Sequence, residues 1–141
     1  MATFNKFNQF VEDLAKKVHN LNSDTIKVAL TNTAPVNTNT VFANITDLTA
    51  GNGYTAGGTQ ATFSSGAQTS GTYKLVLNDV VFSASGGSIG PFRYVVVYNS
   101  TPVSPASPLI GWYDYGTNVT VTTGNSFTVD LDQVNGILTL A

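Results

Sequence analysis

From residue 26 onward the apolar residues recur at every second position, and this period of two constrains the fold more than any other feature of the chain. Ile26, Val28 and Leu30 alternate with Lys27, Ala29 and Thr31, and Phe127, Val129 and Leu131 alternate with Thr128, Asp130 and Asp132. Successive side chains of a strand point to opposite faces, so such runs are half-buried strands. Further strands are expected at residues 40–45, 59–64, 72–84, 92–99, 109–115, 118–123 and 137–140. Turn signals separate them at Gly86-Gly87, Gly116-Thr117, Thr123-Gly124-Asn125 and Asn135-Gly136. Asn-Gly is the strongest hairpin signal of these, because both residues tolerate positive φ. About 8–9 short strands at this spacing predict an all-β, jelly-roll-like β-sandwich. Its strand order is not readable from the sequence.

Two of the expected strands are apolar on both faces. In "FRYVVVYN" one face carries Phe92, Tyr94, Val96 and Tyr98 while Val95 and Val97 lie opposite, beside Arg93. In "LIGWYDYG" Ile110 and Trp112 oppose Leu109, Tyr113 and Tyr115. A sandwich covers one face of each sheet, so a second cover is required. The two candidates are an N-terminal helix and another subunit. The helix is expected over residues 3–20, where Phe4, Phe7, Phe10, Val11, Leu14, Val18 and Leu21 recur at spacings of three and four. Thr3 is a candidate N-cap, and Glu12–Lys16 and Asp13–Lys17 are (i, i+4) pairs in the favoured order. The 141 residues thus divide into a helical segment, 1–22, and a sandwich, 23–141, within one domain.

Charge limits the function. Charged residues make up 10% of the chain and the net charge is −2, against a usual charged fraction of roughly 25%. Lys6, Lys16, Lys17 and Lys27 all lie in the first 27 positions and only Lys74 and Arg93 follow. That is no basic patch for a nucleic acid. No apolar run approaches the roughly 18 residues of a membrane span. No apolar segment follows a basic one at the N-terminus, so export as a free polypeptide is not expected. Cysteine is absent, which excludes disulfides and thiolate zinc sites. A neutral surface rich in Thr, Asn, Ser and Gly suits a lattice or a receptor.

The chemical candidates are weak. Gly51-Asn52-Gly53-Tyr54-Thr55-Ala56 fits the loose form of a dinucleotide-binding turn, but Gly57-Gly58-Thr59-Gln60 after it is no helix start, and the next acid is Asp79. The stretch reads instead as a loop anchored by Tyr54, with glycines where the backbone must bend or approach another surface. Acyl-transfer catalysis by His19, the one histidine, would need a nucleophile and an orienting carboxylate around it, and the dipole at a helix end explains the residue more simply. Asp130 and Asp132 share an expected strand face and suit a cation or an acid–base couple, or only a solvated face. Trp112, Tyr113 and Tyr115 beside Asp114 suit a sugar platform, a core or a subunit contact. Pro102, Pro105 and Pro108 have polyproline spacing but read as a stiff connection between strands. Asn44, Asn99 and Asn118 head Asn-x-Ser/Thr triplets, which mean little without export. No enzyme, cofactor or metal is expected.

Taken in order, "FNKFNQFVEDLAKKVHN", "DTIKVALTNTAP", "ITDLTAGNGYTAGG", "GSIGPFRYVVVYN", "PLIGWYDYG" and "GILTL" resemble the small head decoration, or cement, proteins of tailed bacteriophages, over nearly the whole chain. The resemblance implies a virion structural protein on the outer capsid surface, made in the host cytoplasm, whose partners are the major capsid protein and itself. Such proteins are commonly homodimers, with trimers in other decoration families. No catalytic residues come with the family. Capsid or subunit contacts are expected at Phe4, Phe7, Val11, Tyr54, Tyr94, Tyr98, Trp112 and Tyr115. The alternative is a tail or fibre module that binds host carbohydrate.

Overall fold

A computed structural model describes residues 2–141. The N-terminal segment is not one helix. Phe4–Lys6 is a strand, β1, and the helix α1 covers only Asn8–Ala15. The reason lies in β8 (Leu109–Val121), whose outer edge is bare where Phe4, Asn5 and Lys6 pair antiparallel with Tyr113, Trp112 and Gly111. Satisfying backbone groups along that edge outweighs extending the helix. Phe7 bridges the two elements with extended dihedrals, φ −73° and ψ 143°. The helix stops because Lys17 adopts a left-handed φ of +64°. Asp13 is buried and accepts a hydrogen bond from Gln9 (3.0 Å), so the expected Asp13–Lys17 pair does not form, whereas Glu12–Lys16 does.

The all-β sandwich with one N-terminal helix is present, with ten strands among the described residues. One layer is a five-stranded antiparallel sheet in the order β1-β8-β7-β2-β3, where β2 is Ile26–Thr31, β3 is Thr59–Gln60 and β7 is Ile89–Asn99. The second layer has two parts. One has the order β10-β5-β4, from Leu138–Leu140, Thr72–Leu77 and Phe63–Thr69; the other pairs β6 (Val80–Ser83) with β9 (Ser126–Val129). Val28, Leu30, Phe92 and Val97 of the first layer share one core with Leu75, Leu77, Phe82 and Val129 of the second, and Phe10 and Leu21 join it.

The expected strand 72–84 is split at Asn78-Asp79, because the opposing chain loops out over residues 130–137. Side chains replace the interrupted ladder there: Leu131 N–H (2.8 Å) and Gln133 Nε2 (2.8 Å) donate to Asp79 Oδ1, and Gln133 Nε2 also donates to the Leu77 carbonyl (2.8 Å). Residues 109–115 and 118–123, expected as two strands, are one. β7 pairs along its whole length, from Tyr98↔Leu109 to Ile89↔Val121, and register shifts absorb Gly116. Residues 40–45 are not a strand. The Asn44 carboxamide accepts the Thr40 and Val41 N–H groups (3.0 and 3.2 Å) and winds Phe42–Asn44 into a single 3-10 turn. Asn135-Gly136 closes no hairpin. The tight two-residue hairpin is at Ser70-Gly71, where φ is +51° and +83° and Thr69 pairs with Thr72. The proline connection does not run as polyproline either, since Val103 bridges back to Ala106 and Pro108 bridges Val41.

Candidate interaction surface

The second apolar face of the five-stranded sheet is covered by the chain itself. Ala29, Val96, Tyr98 and Leu109 form a separate buried cluster with Phe7, over which Phe42, Ile45 and Trp112 pack. Phe42 stacks on Tyr98 at 4.1 Å between centroids, and Phe7 lies 4.6 Å from Trp112. The cover is therefore the turn into α1 and the long connection from β2 to β3.

That connection is held by one carboxylate. Asp47 accepts the Tyr54 hydroxyl on Oδ1 (2.6 Å) and the Gly57 N–H on Oδ2 (2.6 Å). The Tyr54 hydroxyl in turn accepts the Leu30 N–H (3.0 Å). Because β3 pairs only with Lys27 and Val28, Leu30 has no strand partner on that edge, and a tyrosine oxygen takes the place of one. Burial first, then the bond to Asp47, pushes the Tyr54 phenol far above its ordinary range, so it stays a neutral donor. Tyr98 closes the loop by donating to the Gly57 carbonyl (2.7 Å); burial, then the Asp47 charge, pushes its phenol up to about 12. Gly58, at φ +80°, lies so close to β2 that a Cβ would overlap the Val28 carbonyl. The glycine-rich stretch is a packed flap along a strand edge, with no helix following it.

These contacts sort the eight expected contact residues. Phe7, Tyr54 and Tyr98 are buried in the fold and cannot meet a partner, because the chain spends them on covering its own sheet. Phe4 is half-buried against Tyr113, 5.5 Å between centroids. Tyr94 and Trp112 are half-buried, and Val11 and Tyr115 are exposed. The eight do not form one patch: Tyr98 and Trp112 border the outer cluster, whereas Phe4 and Tyr54 belong to the core between the layers. Sequence reasoning missed Asp47. Its signal was a single acid at the head of a stretch with no other charge until Lys74.

The remaining candidates fall apart as catalytic groups. Asp130 and Asp132 share no strand face; both follow β9, and Asp132, at φ +54°, caps the turn by accepting the N–H groups of Val134 (3.2 Å) and Asn135 (2.8 Å). Among the described residues no three His, Cys, Asp or Glu side chains are gathered for a metal. Asp114 is held by Arg93 through two hydrogen bonds (2.8 and 3.0 Å), which lowers its carboxyl, helped by the Gly116 N–H.

His19 lies beyond the helix, so the dipole does not explain it. It is buried beside Phe10, and its Nδ1 is 3.1 Å from Asn99 Nδ2. The Asn99 amide is oriented by Asp24 Oδ2 (2.6 Å) and by the Thr101 N–H (3.1 Å), so Nδ1 must accept and the ring is neutral. Burial lowers its pKa against the opposing pull of Asp13 and Asp24. A histidine with a depressed folded pKa gives its full stability above the ordinary value, roughly 6.5, and loses it as pH falls through that value toward the folded one. Urea unfolding at pH 7 and pH 5 is expected to show a loss of at most about 1.4 kcal/mol per pH unit from this group, and His19→Gln is expected to remove that part of the slope. An identical pH dependence in the variant would refute the buried neutral ring.

No family model, curated protein or solved structure matches the chain.

Proposed function

We propose that the chain is a bacteriophage head decoration protein that binds the outer capsid surface, bridges neighbouring capsomers, and carries out no chemistry. The observation that carries this reading is the neutral exterior. From Leu48 to Tyr73 no residue is charged, and β4, within that stretch, is the longest strand at a sheet edge, with nearly all of its residues exposed. Burying such a surface against a protein shell avoids desolvating unpaired ions. Its bare backbone edge suits strand pairing with the capsid or with a second copy. Contacts can each be modest, because many repeated sites act together. Self-contact through the outer face of β7 and β8 does not fit, since that face is already covered. The carbohydrate-binding alternative loses its platform: Trp112 faces the outer cluster while Tyr113 belongs to the inner core.

Undecorated heads mixed with the protein are expected to release DNA at a temperature several degrees higher than heads alone. An unchanged release temperature at saturating protein would contradict the reading.

A further inference from the structure

Where β9 meets the middle of β8 the sandwich opens into a pocket of about 320 Å³, within the size range of ligand sites, about 300–1,000 Å³. Three aromatic rings line it, from Tyr113, Tyr115 and Phe127, over a floor of Val95 and Val129, with Asp130 at the rim. Tyr115 and Phe127 meet edge to face, 5.4 Å between centroids. Among the described residues Asp130 accepts only the Asp132 N–H (2.8 Å) and forms no ion pair. Tyr113 is buried as a whole, and among the described residues its hydroxyl has no hydrogen-bond partner, though it is not an enclosed unpaired atom. The carboxylates of Asp132 and Asp130 add to burial in raising its phenol to about 12, so negative charge lies near that hydroxyl.

We infer that this pocket binds an alkylammonium group, its hydrocarbon among the three rings and its charge against Asp130. Aromatic rings attract cations through their electron-rich faces, and the attraction grows when water is excluded. An anionic ligand would be opposed by Asp130, the one carboxylate of the lining, and a neutral apolar one would leave Asp130 unpaired. Two sources can supply the group: a free amine, or a lysine side chain of a partner protein. A partner segment has a place to lie along β8, because among the described residues β1 pairs with it only at residues 111–113. The site stands independently of any capsid.

The test is titration of the full chain with n-butylammonium, with n-butanol as the uncharged control, followed by amide NMR shifts. Saturable shifts at Tyr115, Phe127 and Asp130 are expected, with butanol at least about tenfold weaker. Asp130→Asn and Tyr115→Ala should each weaken the cation about tenfold; both side chains are exposed, and retained spectral dispersion confirms the fold. Equal affinity for butanol, or affinity untouched in both variants, would overturn the assignment. A blocked Thr-Lys-Thr peptide that binds more tightly than butylammonium identifies the source as a protein lysine using the β8 edge; an equal or weaker peptide identifies it as a small amine.

Discussion

Replacing Tyr54 by Ala is expected to destabilise the protein by about 3–5 kcal/mol, the usual cost of truncating a buried aromatic side chain. The ring is 3% exposed and packs 5.7 Å from Phe82 in the core. Tyr54→Phe separates the ring from the hydroxyl. It keeps the packing but leaves the Leu30 N–H buried without an acceptor and takes one donor from Asp47. Orphaning a buried backbone donor costs about 1–3 kcal/mol. Denaturant unfolding with an unchanged slope measures both losses. If Tyr54→Phe falls within about 0.5 kcal/mol of the wild type, the range of an ordinary surface substitution, the hydroxyl is not acting as a surrogate strand partner.

The second large effect is expected at Gly58. An alanine there meets two obstacles: a φ of +80°, and a Cβ placed on the carbonyl of Val28. Left-handed backbone costs a non-glycine residue roughly 1–2 kcal/mol, and overpacking against a fixed backbone typically adds about 1–3 kcal/mol. Gly71→Ala is the matched control, since its φ is +83° but nothing lies within 4 Å of the added carbon. Gly58→Ala should therefore lose roughly twice as much as Gly71→Ala or fail to fold. Equal losses at the two sites would mean that the flap does not press on β2. The same comparison tests the view that these glycines serve shape rather than phosphate binding.

How much of this was legible depended on whether a segment's chemistry was local. β2 and β7 showed themselves because their core positions alternate or fill both faces, and Tyr54 stood out as the one large ring in a glycine-rich run. β1 was hidden because three residues are too few to establish a period, and Phe4 and Phe7 also fit helical spacing. β4 was hidden for the opposite reason: almost every side chain is exposed, so no face alternates, and the strand expected at 59–64 reached only its first two residues. Gly116 looked like a turn because its neighbours in sequence suggested one, whereas the partner strand β7 decided that the ladder continue. Asp47 meets Tyr54 and Gly57 only because the Tyr54 hydroxyl is fixed on Leu30 of β2, and Asn99 acts on His19 and Asp24 of the segment after α1, far away in sequence. The pocket under Tyr115 needed Phe127 and Asp130 brought against β8, which no single stretch could announce. The need for a second cover on β7 and β8 was legible, but whether it came from the chain or a neighbour was settled only by Phe7 and Phe42 in place.

Imaging undecorated phage heads by electron microscopy after incubation with the purified chain tests the proposed role most directly. The expected result is added density on the outer shell at capsomer boundaries, repeated with the symmetry of the head. Bare shells at saturating protein, or density confined to the tail, would contradict it.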